Sequence, residues 1–179
     1  MSGVRQRYLL GLGSNLGDRV GHLNEAIRLL GELPQAEITA ISPVFDSDPV
    51  GFSDQPTFLN LCLEMVCEFK PSDLLKHTLT IETQLGRLRT SNRNGPRTLD
   101  IDLLFWEGGA IETAELTLPH PRWRERGFVT VPLRHLLQSP ALASATAWDW
   151  LRRAAPPSPT GEEGLRLWHG SIPWRPTPG

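Results

Sequence analysis

Lysine is nearly missing from this chain of 179 residues: sixteen of its eighteen cations are arginine, and only Lys70 and Lys76 are not. A phosphate loop of the type G-x-x-x-x-G-K-[ST] needs a lysine directly after a glycine, and neither lysine follows one. Cysteine is almost as scarce. Cys62 and Cys67 lie five apart in what reads as one strand, so their side chains point to opposite faces. They can form neither an internal disulfide nor a tight metal pair, and they read as buried free thiols. Met1 to Tyr8 lacks the basic, apolar and small-residue blocks of a signal peptide, and no stretch approaches the roughly 18 apolar residues that span a bilayer. The expected setting is cytoplasmic, with no membrane contact. A formal charge of −2 excludes a strongly basic nucleic-acid surface. There is no H-E-x-x-H and no nucleophile elbow. Gly11, Gly13 and Gly17 miss the dinucleotide fingerprint because its third glycine would stand at Leu16.

What the chain does have is a regular alternation of elements. Tyr8 to Leu12 reads as a buried strand running into a turn at Gly13–Gly17, and Asp18 caps a helix with Val20, Leu23, Ile27 and Leu30 on one side. Ile38 to Phe45 reads as a second strand. Phe58 to Phe69 reads as a third, with its odd positions apolar and Phe58, Asn60, Glu64 and Glu68 on the other face. Pro71 opens a second helix, and Leu99 to Trp106 is a further strand, with Leu99, Ile101, Leu103 and Phe105 expected on one face. Short strands near Ile111 and Leu116–Leu118 and helices near Val129–Leu137 and Ala147–Arg153 follow. The order β-α-β-β-α-β predicts an α+β, ferredoxin-like antiparallel sheet with two helices on one face and extra C-terminal helices. One catalytic domain is expected over residues 5–155. Residues 156–179 form a proline-rich tail in which Leu165 to Trp168 could add an edge strand.

The chemistry concentrates in Asn94-Gly95-Pro96-Arg97-Thr98-Leu99-Asp100-Ile101-Asp102. Alternation puts both carboxylates on the same strand face, about 6.5–7 Å apart along it, a spacing that suits oxygen ligation of one or two Mg²⁺ ions. A lone D-x-D is usually a solvated strand face. Here Arg87, Arg89, Arg93 and Arg97 precede it, and Arg122, Arg124 and Arg126 follow His120. Two adjacent anions beside guanidinium forks are what a metal–triphosphate complex requires. Phe58 and Asn60 share a strand face and could stack on and hydrogen-bond a flat heterocycle. An RNA-binding sheet or a metal-dependent nuclease would be the rival readings. Aspartates in mid-sheet would repel an RNA backbone, and a nuclease would need further acids nearby.

These segments together resemble the 6-hydroxymethyl-7,8-dihydropterin pyrophosphokinase family. The resemblance runs from Tyr8 to Leu137 and rests on Gly13-Ser14-Asn15-Leu16, Asp54-Gln55-Pro56-Thr57-Phe58-Leu59-Asn60, Gly86-Arg87-Leu88-Arg89, the Gly95–Asp102 segment, Leu118-Pro119-His120-Pro121 and Arg126-Gly127-Phe128. It implies transfer of pyrophosphate from ATP to a pterin alcohol. Asp100 and Asp102 would hold two Mg²⁺ ions. Arg87, Arg89, Arg97, His120 and Arg126 would contact ATP, with Glu82, Leu103 and Thr117 lining the nucleotide. Phe58 and Phe128 would sandwich the pterin, with Asn60, Ser47 and Val50 around it. Asn94 departs from the tryptophan frequent in the family. The partners implied are small molecules, with no nucleic acid and a monomeric enzyme.

Overall fold

In the computed structural model, which describes residues 3–50, 54–87, 95–154 and 164–175, one antiparallel sheet organises the chain. Its strands are β1 (Gln6–Ser14), β2 (Glu37–Ile41), β3 (Phe45–Ser47), β4 (Phe58–Cys67), β5 (Asp100–Trp106) and β8 (Leu165–Leu167). The order is β5-β1-β4-β3-β8, with β2 also on β4. A separate hairpin joins β6 (Ile111–Glu112) to β7 (Thr117–Leu118). The α+β ferredoxin-like expectation holds. The single strand expected over 38–45 is two strands, because Pro43 lacks an N–H and the chain breaks between Ile41 and Phe45.

Helices α1 (Arg19–Gly31) and α2 (Pro71–Gln84) cover one face of the sheet. The Asp18 side chain caps α1 by accepting from the Gly21 N–H at 2.9 Å, and Pro71 opens α2 where its missing N–H costs nothing. Leu23, Ile27, Leu30, Leu74 and Ile81 meet Leu10, Leu12, Leu61, Leu63 and Met65 there. The odd positions of β4 are thus the core side of this layer, as their alternation predicts.

The other face is not left to solvent. Helix α3 (Gly127–Gln138), the short helix α4 (Asp149–Ala154) and Trp123 and Trp148 close over Leu9, Cys62, Leu104 and Phe105. Helices therefore pack on both faces, where the sequence reading put two on one. The second layer explains how Glu64, expected on a polar face, comes to be fully buried. Its carboxyl group accepts from Thr39 Oγ1 at 2.6 Å, Trp148 Nε1 at 2.5 Å and Arg7 Nη1 at 2.8 Å. A buried polar group is stable only with partners of this kind.

Two local features depart from simple alternation. Strand β1 continues through Gly13 and Ser14, which pair with Asn60 and Leu59 on β4, so the turn is shorter than expected. On β5, Leu103 opposes Leu10 whereas Phe105 opposes Leu9, leaving Leu104 as an inserted bulge residue. The bulge rotates Phe105 onto the second face with Leu104, so it does not share the face of Ile101 and Leu103. It also turns the Leu104 carbonyl to accept from the His120 N–H at 2.8 Å.

Replacing Trp148 with Phe removes one donor to buried Glu64 and keeps an aromatic ring, though a smaller one that leaves a small void. The expected cost is about 2 kcal/mol, a fall in Tm of roughly 4–8 °C for a domain of this size, with unchanged turnover. A thermal melt with unaltered Tm would show that the indole N–H is not holding the C-terminal layer.

Candidate functional site

Helix α3 covers only part of the second face. Beyond it, the side chains of Asn60 on β4 and of Asp100 and Asp102 on β5 stand around Gly11 and Gly13 of β1. Gly13 is required by closeness, since a Cβ there would come within 2.8 Å of Asn60 Oδ1. The result is a cavity of about 100 Å³ lined by Phe58, Asn60, Ser47, Val50, Phe128, Arg97, Asp100, Asp102 and Arg126, among others. Asn60 Nδ2 donates to Ser47 Oγ at 2.6 Å, and both residues are buried. Phe58 and Phe128 line the same space. Val50 is 60% exposed and sits at the mouth.

A second cavity of about 370 Å³ lies on the other side of the carboxylates, between α2, β5 and the β6–β7 hairpin. Its walls include Glu82, Arg87, Leu103, Thr117 and His120, and it shares Asp100 and Asp102 with the first. Every described residue expected at the nucleotide therefore borders one of these two spaces. Arg89, Arg93 and Asn94 lie outside the described residues.

The carboxylates carry the electrostatics. Arg87 Nη1 donates to Asp100 Oδ1 at 2.7 Å, and Arg97 Nη1 to Asp100 Oδ2 at 3.0 Å. Arg126 Nη1 reaches Asp102 Oδ2 at 3.5 Å, and its Cζ lies 5.6 Å from the centre of the Phe128 ring. The arginines expected on phosphates thus face the acidic pair. Glu82 is buried, and its Oε1 accepts from the Ile101 N–H at 2.8 Å and pairs with Arg87 at 2.6 Å. It anchors both the strand and the guanidinium. Asp102 keeps 29% side-chain exposure, yet burial of its carboxyl group, followed by repulsion from Asp100, pushes its pKa up to about 7. Two mutually repelling acids with this much desolvation call for a cation. Among the described residues no three His, Cys, Asp or Glu gather as a metal site. A carboxylate pair that leaves most positions to water or phosphate oxygens fits Mg²⁺.

His120 is held below its ordinary pKa by burial and by Arg126. Its Nδ1 accepts from the Arg122 N–H at 3.1 Å, so the neutral ring carries its proton on Nε2 and can donate there. Cys62 is no nucleophile, since burial and then Asp102 raise its thiol pKa.

One residue contributes more than the sequence suggested. Asn15, within the turn expected at Gly13–Gly17, is buried. Its Oδ1 accepts from the Arg97 N–H at 2.9 Å, and its Nδ2 donates to Gln55 Oε1 at 2.9 Å and the Pro56 carbonyl at 3.0 Å. A single amide therefore joins the β1–α1 turn to the segments entering β4 and β5. Its four bonding sites were readable as capacity. The partners come from distant sequence and were not.

Comparison with known proteins places these features in context. Residues 9–138 match the profile of 7,8-dihydro-6-hydroxymethylpterin-pyrophosphokinase (HPPK). A Bacillus subtilis (strain 168) protein named 2-amino-4-hydroxy-6-hydroxymethyldihydropteridine pyrophosphokinase is 39% identical over 159 residues, covering 89% of this chain and 88% of that one. A Methylorubrum extorquens protein of the same name is 39% identical over 150 residues, covering 84% and 94%. Among solved structures, Plasmodium falciparum HPPK-DHPS with pterin and p-hydroxybenzoate aligns with a TM-score of 0.58 at 14% identity. It covers 76% of this chain, which spans only 39% of that longer one, and the likeness concerns the fold alone.

The raised pKa of Asp102 has a measurable consequence. An unfolded aspartate ionises near 3.8, whereas the folded one keeps its proton up to about 7, so folding takes up a proton between these values. Its contribution to stability therefore falls as pH rises through that window. Asp102→Asn should raise the Tm of the ligand-free protein by about 2–4 °C or more at pH 8, what roughly 1 kcal/mol gives at this size, with the gain shrinking through about pH 7 to 5 and gone only below the unfolded value of 3.8. A gain independent of pH would count against a charged, strained Asp102.

Proposed function

The chain belongs to the 7,8-dihydro-6-hydroxymethylpterin-pyrophosphokinase family and so transfers pyrophosphate from ATP to hydroxymethyldihydropterin in folate synthesis; we propose that it does so across Asp100 and Asp102, with Mg²⁺. The observation that carries the site assignment is the meeting of two cavities at these carboxylates, one walled by aromatic rings, an amide, Arg97 and Arg126, the other by Glu82, Arg87 and His120.

On this reading Phe58 and Phe128 hold the faces of the pterin ring, and the Asn60–Ser47 pair offers hydrogen bonds to its edge. Val50 closes the mouth. ATP occupies the larger space, against Glu82, Leu103 and Thr117. Arg87, Arg97 and Arg126 turn from the carboxylates to phosphate oxygens, Arg89 joins them, and His120 donates from Nε2. The substrate hydroxyl oxygen forms a bond to the β-phosphorus as the bond from that phosphorus to the α,β-bridging oxygen breaks; AMP leaves with the electron pair, and the hydroxyl proton passes to water. Two Mg²⁺ ions held by Asp100 and Asp102 would neutralise phosphate charge and make the hydroxyl more acidic. The protein's own share is alignment of the two substrates and guanidinium stabilisation of charge on the equatorial oxygens. No covalent enzyme intermediate is needed, in keeping with a site that offers no activated nucleophile. The same reading takes residues 5–155 as one catalytic domain and 156–179 as a tail carrying β8, working as a monomer on small molecules in the cytoplasm.

Incubation with ATP, Mg²⁺ and the pterin alcohol should yield AMP and the pterin diphosphate in equal amounts, and removal of the metal by EDTA should stop it. Asp102→Ala should lower kcat at least 100-fold while the protein stays folded, in the range lost with one electrostatic stabilising group. ADP as the nucleotide product, or an active Asp102→Ala variant, would overturn the assignment.

A further inference from the structure

Strand β8 lies outside the stretch that matches the family profile, yet it completes the edge of the sheet beside the pterin-side cavity. It pairs antiparallel with β3, Ser47 opposite Leu165 and Asp46 opposite Arg166, and the Asp48 N–H donates to the Gly164 carbonyl at 2.9 Å. The approach is close. Gly164 has φ +76°, and a Cβ there would stand 2.4 Å from Asp48 Oδ2.

Side chains tie this edge to the far end of the pocket. Arg166 Nη2 donates to Asp46 Oδ1 at 3.1 Å and to Asp48 Oδ1 at 3.0 Å. On its other side, Asp46 Oδ2 lies 3.6 Å from Arg19 Nη1 at the start of α1. The same Arg19 nitrogen donates to the Thr57 hydroxyl at 2.9 Å and to the Thr57 carbonyl at 3.1 Å. Asp46 therefore sits between two guanidiniums. One holds β3 to β8, and the other holds β3 to the residue just before Phe58. Ser47 follows Asp46 and bonds Asn60, so the chain of contacts Arg166–Asp46–Arg19–Thr57 encloses the pterin-side cluster without entering it. Asp46 is only 22% exposed and Arg19 30%, so the Asp46–Arg19 half is less screened than an ordinary surface pair, whereas Arg166 is 54% exposed.

We propose that Arg19, Asp46 and Arg166 form a positioning clamp that fixes β3 against the start of β4 and so sets affinity for the heterocyclic acceptor, independently of ATP. The clamp rests on the assignment of this cavity to the pterin. None of its three residues lines the nucleotide space or faces the Asp100–Asp102 pair, so its loss should be felt on one substrate only.

The test uses the full chain with Arg166→Ala, Arg166→Lys, Asp46→Asn and the Arg166→Ala/Asp46→Asn double variant. Arg166→Ala should raise KM for the pterin alcohol about twofold to fivefold, with kcat and the KM for ATP unchanged within error of about 1.5-fold. Arg166→Lys keeps the charge and should recover part of the loss. The double variant should lose less than the sum of the single changes, as a coupled pair does, and a fully additive loss would count against the clamp. Amide exchange at Asp48 should quicken in Arg166→Ala, a readout that holds even if the chain makes no AMP. Failure of the unaltered chain to form AMP would refute the functional assignment; the exchange result would then still decide the clamp. An unchanged pterin KM together with unchanged exchange, a parallel rise in both KM values, or no recovery by lysine would overturn the clamp.

Discussion

Two acids on one face of a central-layer strand, Asp100 and Asp102, set the terms for everything around them. Each raises the cost of the other's charge, and packing from α3 and from β1 and β4 takes away much of the water that would screen them. The protein compensates with guanidiniums, 2.7 and 3.0 Å from Asp100 and 3.5 Å from Asp102. Unpaired, either set of charges would be costly to keep half-buried. Under the proposed function, binding is then an exchange of partners: cations arrive for the carboxylates as phosphate oxygens arrive for the arginines.

The backbone around the pair is arranged so that this exchange happens at one place. Gly13 leaves room for Asn60, the bulge at Leu104 sends its carbonyl to the His120 N–H, and Glu82 holds the Ile101 N–H while pairing with Arg87. Asn15 joins Arg97 to the segment before β4. Four different elements are thereby referenced to β5, and a shift in any one would be felt at the carboxylates. Sites set on strands and supported by a surrounding shell of hydrogen bonds keep such positions better than loops alone.

Much of this was legible beforehand, because its causes are local. Alternation placed Asp100 and Asp102 on one face, the apolar positions of β4 on another, and capping by Asp18 began α1 where expected. What the sequence could not display depends on partners far along the chain. Glu64 alternates like a surface residue, and only the arrival of Trp148, 84 residues later, buries it. Phe105 reads as continuing the face of Ile101 and Leu103 until the bulge turns it over, and a bulge leaves no mark in hydropathy. Asn15 offered four hydrogen-bonding positions, but their recipients lie 40 residues and more away.

The near-absence of lysine looks different in this light. Arg28 holds Glu25 and Glu32 together, Arg166 joins Asp46 to Asp48, and Arg19 contacts Thr57 and Asp46. Arg152 donates to the carbonyls of Leu137, Ala145 and Leu142 and to Asp149, closing the C-terminal layer with one side chain. These arginines are remote from the carboxylate pair, and each still joins several acceptors at fixed angles. An ammonium offers a single charged centre, whereas the planar fork orders two or three acceptors with fewer degrees of freedom lost per bond. The preference for arginine therefore has one physical basis in two settings. At the site the fork suits paired oxygens of carboxylate or phosphate, and elsewhere it adds polar ties, as at Arg152, to segments that also pack apolar side chains.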